Sequence, residues 1–357
     1  MHCETRIITS GYDGKKCLVH ARCCAAPGQM IATAQYLNVQ GIDLFSGILS
    51  STSRDGGRTW SKFCEEPGLA PIVEGDTVTV GCDATPMYHK KSGRVLLLGH
   101  TAEYRTGDMK PTDGKRYTFY SVYDRARGAF SKMKLLQMPA GYENCGNGSG
   151  QSIELENGEL LIPVYHKKEG EKTYAATVLR CALENDELKL LEIGNTLAMD
   201  VKRGLCEPSL ICYKGTYYMT LRNDECGLVA KSEDGLHYTD LQLWKWQDGA
   251  LLQNYNTQQH WMQLGDELYL VYTRRGANND HVFRHRAPLF AAKVEKMRLL
   301  RESEFPVVPQ RGARLGNFCA APLQNGKAMV MAAEWMQPLG CEQYGSDNAI
   351  FLSEIEP

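Results

Sequence analysis

No apolar run in this 357-residue chain approaches the roughly 20 residues that a membrane-spanning helix needs. The opening residues, Met1-His2-Cys3-Glu4-Thr5-Arg6, lack a charged segment followed by an apolar one, so the expectation is a protein without a secretory signal that works in the cytoplasm. Charge of one sign is also missing. Forty Lys and Arg stand against 42 Asp and Glu, a formal −2, and this balance supplies no pull toward nucleic acid or a membrane surface. None of the 13 cysteines forms a Cys-x-x-Cys pair, which argues against a zinc ribbon. Most of them, including Cys23, Cys24, Cys206, Cys212 and Cys319, sit in apolar stretches and read as buried reduced thiols. Glycine loops that cradle phosphate are absent, and nothing demands a metal, nucleotide or other cofactor. Proline/serine linkers and low-complexity segments are absent too, and helical periodicity is nearly so. Lys293–Glu302 is the one charged stretch with the composition to wind briefly.

What the chain does have is turns, 34 glycines' worth, and short apolar runs between them. The stretch Ser53-Arg54-Asp55-Gly56-Gly57-Arg58-Thr59-Trp60 is the sharpest. Asp55 is suited to accept backbone N–H groups across a tight turn, the two glycines supply positive φ, and Trp60 can pack on the hairpin behind. A shortened echo follows at Ser232-Glu233-Asp234-Gly235-Leu236-His237-Tyr238. One larger pattern occurs six times: a polar residue, a short strand, a turn, an apolar strand, then a second hairpin. The copies begin at Arg22, Asp83, Gln151, Glu207, Gln259 and Asn317, with spacings of 61, 68, 56, 52 and 58. Two hairpins per unit at this period predict an all-β chain, a six-bladed β-propeller of four-stranded antiparallel blades formed as one domain over residues 1–357. Arg6–Ile8 is placed to complete the sheet of the last blade, and the polar stretch Asn278–Arg286 reads as a loop over one face.

In such a ring the starts of the inner strands surround a central funnel. The site candidates are therefore Arg22, Asp83, Gln151, Glu207, His260 and Asn317, a nearly all-polar set. Trp261 beside His260 offers a sugar-stacking platform next to a general base, or else a packed pair. His285 between Arg284 and Arg286 is a candidate anion contact, and His100 and His166 end the second strands of their units.

The segment Ser53, Asp55, Gly57, Thr59, Trp60 resembles the Asp-box, S-x-D-x-G-x-T-W, of the sialidase-type propellers, where it is a structural staple without catalytic duty. That resemblance implies a carboxylate clamp of three arginines, a residue type whose planar fork suits a carboxylate. By position it implies Arg22 as the first, although the Ile-Pro that follows this arginine in the family is missing here. It implies Arg222, 15 residues after Glu207, as the second, and Arg284 or Arg286 as the third. It further implies Glu207 as the site glutamate and Asp43, in Gln40-Gly41-Ile42-Asp43-Leu44, as the acid/base. The family's nucleophilic Tyr has no counterpart, since Gly316 is followed by Asn317. Tyr255 and Tyr344 are the tyrosines on nearby loops.

Three readings follow. The first is an exo-acting glycoside hydrolase that removes a terminal acidic sugar, with Asp43, Asp83, Glu207 and His260 as its acids and bases. Attack by an activated water, with inversion, then replaces the tyrosyl step. The second is a lyase acting on uronates through a His/Tyr base, and the third is a sugar-binding propeller without catalysis. All three imply an oligosaccharide or glycoside ligand, no nucleic acid and no membrane partner, and leave the oligomeric state open.

Overall fold

The computed structural model describes residues 1–39, 43–107, 109–112 and 114–357. Six antiparallel sheets follow one another along the chain and form a six-bladed β-propeller. Blade 1 holds Lys16–Ala26, Gln29–Asn38, Phe45–Ser53 and Cys64–Glu65. Blade 2 holds Thr77–His89, Arg94–Arg105, Thr118–Asp124 and an outer strand in two pieces, with Ile72–Glu74 added beside the inner strand. In blade 3 the inner strand is split into Cys145–Gly146 and Ile153–Glu154, followed by Leu160–His166, Ala175–Glu184 and Glu187–Ile193. Blade 4 runs through Cys206–Tyr213, Thr216–Arg222, Gly227–Ser232 and Thr239–Leu243. Blade 5 has His260–Leu264, Glu267–Tyr272, Phe290–Glu295 and a two-piece outer strand.

Blade 6 is built from both ends of the chain. Phe318–Pro322, Ala328–Ala333 and Ile350–Glu356 form its inner three strands, and His2–Thr9 is its outer one. The register runs from His2 opposite Glu356 to Ile7 opposite Phe351, a longer pairing than Arg6–Ile8. These hydrogen bonds tie the first strand to the last and cover an edge that would otherwise stand open.

Packing explains why the strands read as apolar runs. Successive side chains point to opposite faces of a strand, and here both faces meet a neighbouring blade. Leu160 and Ile162 join the core between blades 2 and 3, while Leu161 between them joins the core between blades 3 and 4. Equivalent apolar cores fill the interfaces of blades 4 and 5, 5 and 6, 6 and 1, and 1 and 2, so the ring closes. Each large apolar side chain buried there contributes on the order of 1.5–3 kcal/mol.

The stretch Lys293–Glu302 does not wind as its composition allows. It completes the strand Phe290–Glu295, turns at Lys296 and Met297, and re-enters the sheet at Arg298–Leu299 before a single 3-10 turn. Pairing to the blade takes up its backbone groups, which outweighs weak helix propensity. The stretch Asn278–Arg286 is a loop with one 3-10 turn at Phe283–His285.

The turn after Phe45–Ser53 closes on its own side chains. Asp55 Oδ1 accepts from the Ser53 hydroxyl and the backbone N–H of Arg58 and Thr59, and Trp60 Nε1 donates to the Gly57 carbonyl at 3.0 Å. Asp234 accepts in the same way from Ser232, Leu236 and His237. Gly57 has φ +85°, and a Cβ there would lie 2.8 Å from Leu352 Cδ2 of blade 6; Gly56, at φ +72°, faces open space. Gly57→Ala is therefore expected to lose about 1–3 kcal/mol of stability in urea unfolding, more than Gly56→Ala, which carries backbone strain alone. Equal losses would show that the blade 1 to blade 6 contact at Gly57 does not matter.

Candidate active site

The inner strands of blades 1, 2 and 4 each break register once near the axis. The breaks fall between Val19 and Arg22, between Cys82 and Thr85, and between Cys206 and Ser209. At each break one non-glycine residue takes positive φ: His20 at 55°, Asp83 at 52° and Glu207 at 47°. Such a conformation costs on the order of 1–3 kcal/mol, and bulges of this kind re-aim a side chain. All three residues line one cavity of about 860 Å3 at the centre of the ring.

The floor below is closed by buried polar groups. Arg22 is fully buried and donates to groups of four other blades. Its Nη2 reaches Ser149 Oγ at 2.8 Å, Gln258 Oε1 at 3.0 Å and Asp83 Oδ1 at 3.2 Å, while Nη1 and Nε reach the carbonyls of Ala84 and Phe318, both at 3.4 Å. Asp83 Oδ1 also accepts from Ser149 Oγ at 2.8 Å and lies 3.4 Å from Asn317 Nδ2. Burial alone would raise the Asp83 carboxyl. His20, Arg22 and His100 overcome it and hold the group well below the usual carboxylate range.

One wall is a chain of alternating charges. Glu207 binds Arg222 Nη1; Arg222 Nη2 binds Asp224 Oδ1 at 3.1 Å; and Asp224 binds Arg203 through both oxygens. Beside it stand two cations whose hydrogen-bond acceptors among the described residues are neutral, Asn256 for Arg286 and Gln337 for Arg314. Arg286 is buried and donates to Asn256. Burial first, then Arg222, Arg314 and Arg284, push it well below its ordinary value. Arg314 is 4% exposed, stacks on Trp335 with its guanidinium 4.0 Å from the ring centre, and its Nε has no hydrogen-bond partner among the described residues. Burial pushes it down to about 10, with Asp43 opposing and Arg284 adding to the shift.

The adjoining wall comes from blades 2 and 3, with Tyr165 and Tyr174 packed on Cys206. Arg116 donates to Tyr174 OH and lies 5.9 Å and 5.4 Å from the ring centres of Tyr165 and Tyr174. Tyr165 OH stands 3.4 Å from His100 Nδ1. Burial, with Asp83 opposing it and Arg116 assisting, takes His100 down to about 3, so its imidazole is neutral at ordinary pH. Burial pushes the Tyr165 phenol well up, so it keeps its proton. Among the described residues the cavity wall carries eight Lys and Arg against five Asp and Glu, which favours an anionic ligand.

The structure brings Asp43, Asp83, Glu207, Arg222, Arg284, Arg286 and Asn317 to this cavity. Gln40, Gly41 and Ile42, before Asp43, lie outside the described residues. Five candidates fall elsewhere. Arg22 lies under the floor and does not line the cavity; the inner-strand bulge turns His20 inward in its place. Gln151 is a strut, bonded through Nε2 to the carbonyls of Trp261 and Ala320 and through Oε1 to the Trp261 N–H. His260 is buried between Ser209 Oγ and Gln258, and burial takes it down to about 3. Trp261 is 1% exposed, packed against Trp244 and Tyr218, so it offers no stacking face. His285 is held by Tyr255 OH and Asp280 outside the cavity wall. Tyr344 stacks on His281, and His166 is buried against Tyr142; neither lines the cavity.

The cavity residues that sequence reading passed over are chiefly His20, Arg116, Tyr165, Tyr174, Arg203, Asp224 and Arg314. A signal existed for some. The second strand of each blade ends opposite the start of the first, pairing Cys82 with His100 and Cys206 with Arg222. Reading both ends leads to Tyr165 beside His166 and to Asp224 just past Arg222. Arg116 and Arg314 stand outside the blade strands, where no repeat marks them.

No family model matches the chain, and no curated protein matches it. Solved structures do. A Trypanosoma rangeli sialidase superposes with a TM-score of 0.67 at 13% identity over 99% of this chain and 60% of the other. The NanB sialidase of Streptococcus pneumoniae gives 0.65 at 12% identity, covering 98% of this chain and 70% of the other. A GH43 β-1,3-galactosidase gives 0.50 at 11%, covering 78% and 90%. At these identities the likeness is one of fold: a sialidase-like propeller that spans about 60% of the length of the trypanosomal enzyme.

Two outcomes test the site's electrostatics. Arg22→Met leaves Asp83 buried without its guanidinium and is expected to lose about 3–5 kcal/mol in urea unfolding; a loss below about 1 kcal/mol would show that the floor does not depend on it. Burial would raise Asp224, but Arg203 and Arg222 hold it at about 2, below its unfolded value near 3.8. The stability it contributes is thus complete above about pH 4 and lost as the pH falls toward 2. Asp224→Asn should flatten the fall of unfolding free energy across that window, and an unchanged slope would rule out this linkage.

Proposed function

We propose that this chain is an exo-acting glycoside hydrolase that removes a terminal acidic sugar. The observation that carries this reading is the group Arg222, Arg286 and Arg314, buried together on one wall, with the Arg314 Nε unpartnered among the described residues. Buried guanidinium groups repel one another, and an anion placed among them relieves that repulsion while accepting directed N–H bonds. Arg314 thus takes the place in the clamp that the sequence assigned to Arg22. The buried layer of Arg22, Gln258, Gln259 and His260 under the floor, all at most 1% exposed, closes the funnel below, which suits a chain end rather than a continuous chain.

Glycoside cleavage needs a proton on the departing oxygen and a carboxylate that directs the incoming water or steadies the developing positive charge. Asp43, exposed where it lines the cavity, is suited to the first role. Glu207, steered inward by its bulge and held by Arg222, is suited to direct the water. Asp83 stays ionised and serves as the negative charge beneath the reacting carbon. No tyrosine is needed, and inversion at the anomeric carbon follows.

A second reading is favoured by the wall of blades 2 and 3. His100, neutral, can take a carbon-bound proton from a uronate; Tyr165, protonated, can return one to the departing oxygen; and Arg116 can neutralise the carboxylate. Such a β-elimination breaks C–H and C–O bonds and leaves a C=C bond that absorbs in the ultraviolet.

A panel of aryl glycosides, with sialic and uronic acids among them, separates these readings. Cleavage of an acidic glycoside is expected, falling about 100-fold or more in Glu207→Gln. Arg314→Met should raise KM for that glycoside about 10- to 100-fold, the worth of a charge-assisted bond, and leave neutral glycosides unchanged. Cleavage confined to neutral sugars would discard the clamp. An ultraviolet-absorbing product from a uronate, lost in His100→Gln and Tyr165→Phe but kept in Glu207→Gln, would replace hydrolysis by elimination.

A further inference from the structure

His20 does not belong to the clamp or the carboxylates, yet it lines the cavity from the blade 1 bulge. Its hydrogen bonds fix where its protons lie. The Gln35 side chain donates through Nε2 to two backbone carbonyls, Ser46 at 2.8 Å and Gly81 at 2.7 Å. Turning that amide over would set its oxygen against both carbonyls, so Gln35 Oε1 must face His20 Nδ1, 3.2 Å away. An amide oxygen only accepts, and Nδ1 therefore carries a hydrogen. The other ring nitrogen, Nε2, lies 3.2 Å from Asp83 Oδ1. An ionised carboxylate also only accepts. With Nδ1 already protonated, a neutral ring would point its Nε2 lone pair at the carboxylate. The observed contact needs a second proton, on Nε2.

We propose that His20 and Asp83 form a proton-holding dyad whose imidazolium, through its Nε2 proton, is a proton donor of the funnel. In the transfer the Nε2–H bond breaks and an O–H bond forms on an oxygen of the bound molecule. The ring is left neutral with Nδ1–H still bound to Gln35, the tautomer that Gln35 already enforces, and Asp83 is left ionised against Arg22 and Ser149. No rotation of the ring or of Gln35 is required. The proposal rests on the carbohydrate reading only for the identity of the oxygen that receives the proton.

The charges around the ring set the pH range. Asp83 and the more distant Asp43 favour the imidazolium, as does the bond to Gln35. Burial is the largest opposing influence and Arg22 adds to it, so the ring titrates below its ordinary 6.5. His100, neutral across Asp83, and the rings of Phe45 and Trp335, centred 4.7 Å and 5.6 Å away, complete its surroundings; Arg314 stands behind Trp335. A donor of this kind is loaded on the acid side of its titration and lost as the pH rises through it.

Nitrogen-15 NMR of the imidazole rings in the ligand-free chain tests this, with His20→Gln assigning the signals. As the pH is lowered, Nε2 is expected to gain a proton while Nδ1 keeps its own, so that both nitrogens are protonated on the acid side and Nδ1 alone on the basic side, with the midpoint below that of a free imidazole. Gln35→Met frees the ring to turn to its Nε2–H neutral form, which can serve Asp83 without a second proton; in that variant the titration should move to lower pH and the neutral tautomer should switch. Asp83→Asn should likewise depress the titration. Overturning results are a neutral Nε2–H tautomer in the unsubstituted chain, a ring that never gains its second proton before the chain unfolds in acid, or a titration that Gln35→Met leaves in place. A metal ion retained by the purified chain and released by His20→Gln would put a different cation between the two groups and also overturn the assignment. Because no glycoside is present, a failed substrate panel leaves this outcome intact, and the reverse holds as well.

Discussion

One guanidinium holds the middle of the molecule. Arg22 is supplied by blade 1 and donates to groups on blades 2, 3, 5 and 6 at once. A charge so fully buried is tolerated only where each N–H finds an acceptor and an opposite charge lies near. Asp83 supplies the charge; Ser149, Gln258 and two carbonyls complete the acceptors. The six apolar cores hold neighbouring blades together in pairs, whereas Arg22 makes five of the six answer to one point. It also fixes Asp83, so the floor of the funnel and its electrostatics are a single construction.

The site is then drawn out of a regular architecture by local irregularity. In an unbroken strand, the residues at His20, Asp83 and Glu207 would follow the alternation and face one blade or the other. The bulges turn them to the axis at a cost in backbone strain, and the strain is borne by the packed strands on either side. Acids placed this way meet a surplus of arginines, and the result is two differently charged walls. The wall with Arg222, Arg286 and Arg314 suits an anion held still. The wall with His100, Tyr165 and Arg116 pairs a neutral base with a protonated phenol. The comparison with sialidases bears on the fold, and the chemistry proposed for this chain rests on these two walls and on the proton between His20 and Asp83.

The fold was legible because it is repetitive. Turn residues at a period of 50–60 and two hairpins per unit determine four-stranded blades, and six copies determine their number, since each strand needs an apolar neighbour on both faces. The turn at Ser53–Trp60 was legible for a local reason: Asp55, Ser53 and Trp60 complete its hydrogen bonds within eight residues. Asp83, Glu207, Arg222 and Asn317 could be placed at the funnel because the repeat itself carries them there.

Position in a repeat does not say which way a side chain points, and that was left to the tertiary structure. Arg22 and His20 are two residues apart, and a bulge decides that the first is buried under the floor and the second faces the cavity. His260 and Trp261 look like a base and a platform in the sequence, yet packing between blades 4 and 5 buries both. Arg116 and Arg314 come from connecting segments, outside any repeat, and only closure of the ring sets Arg116 beside Tyr174, 58 positions away, and brings Arg314 near Asp43 from the far end of the chain. The sequence by itself determined the blades, their number and the local turn, because these depend on spacing and on neighbours along the chain. The membership of the site, its charge and its proton depend on contacts between distant segments, and those exist only once the six blades have closed.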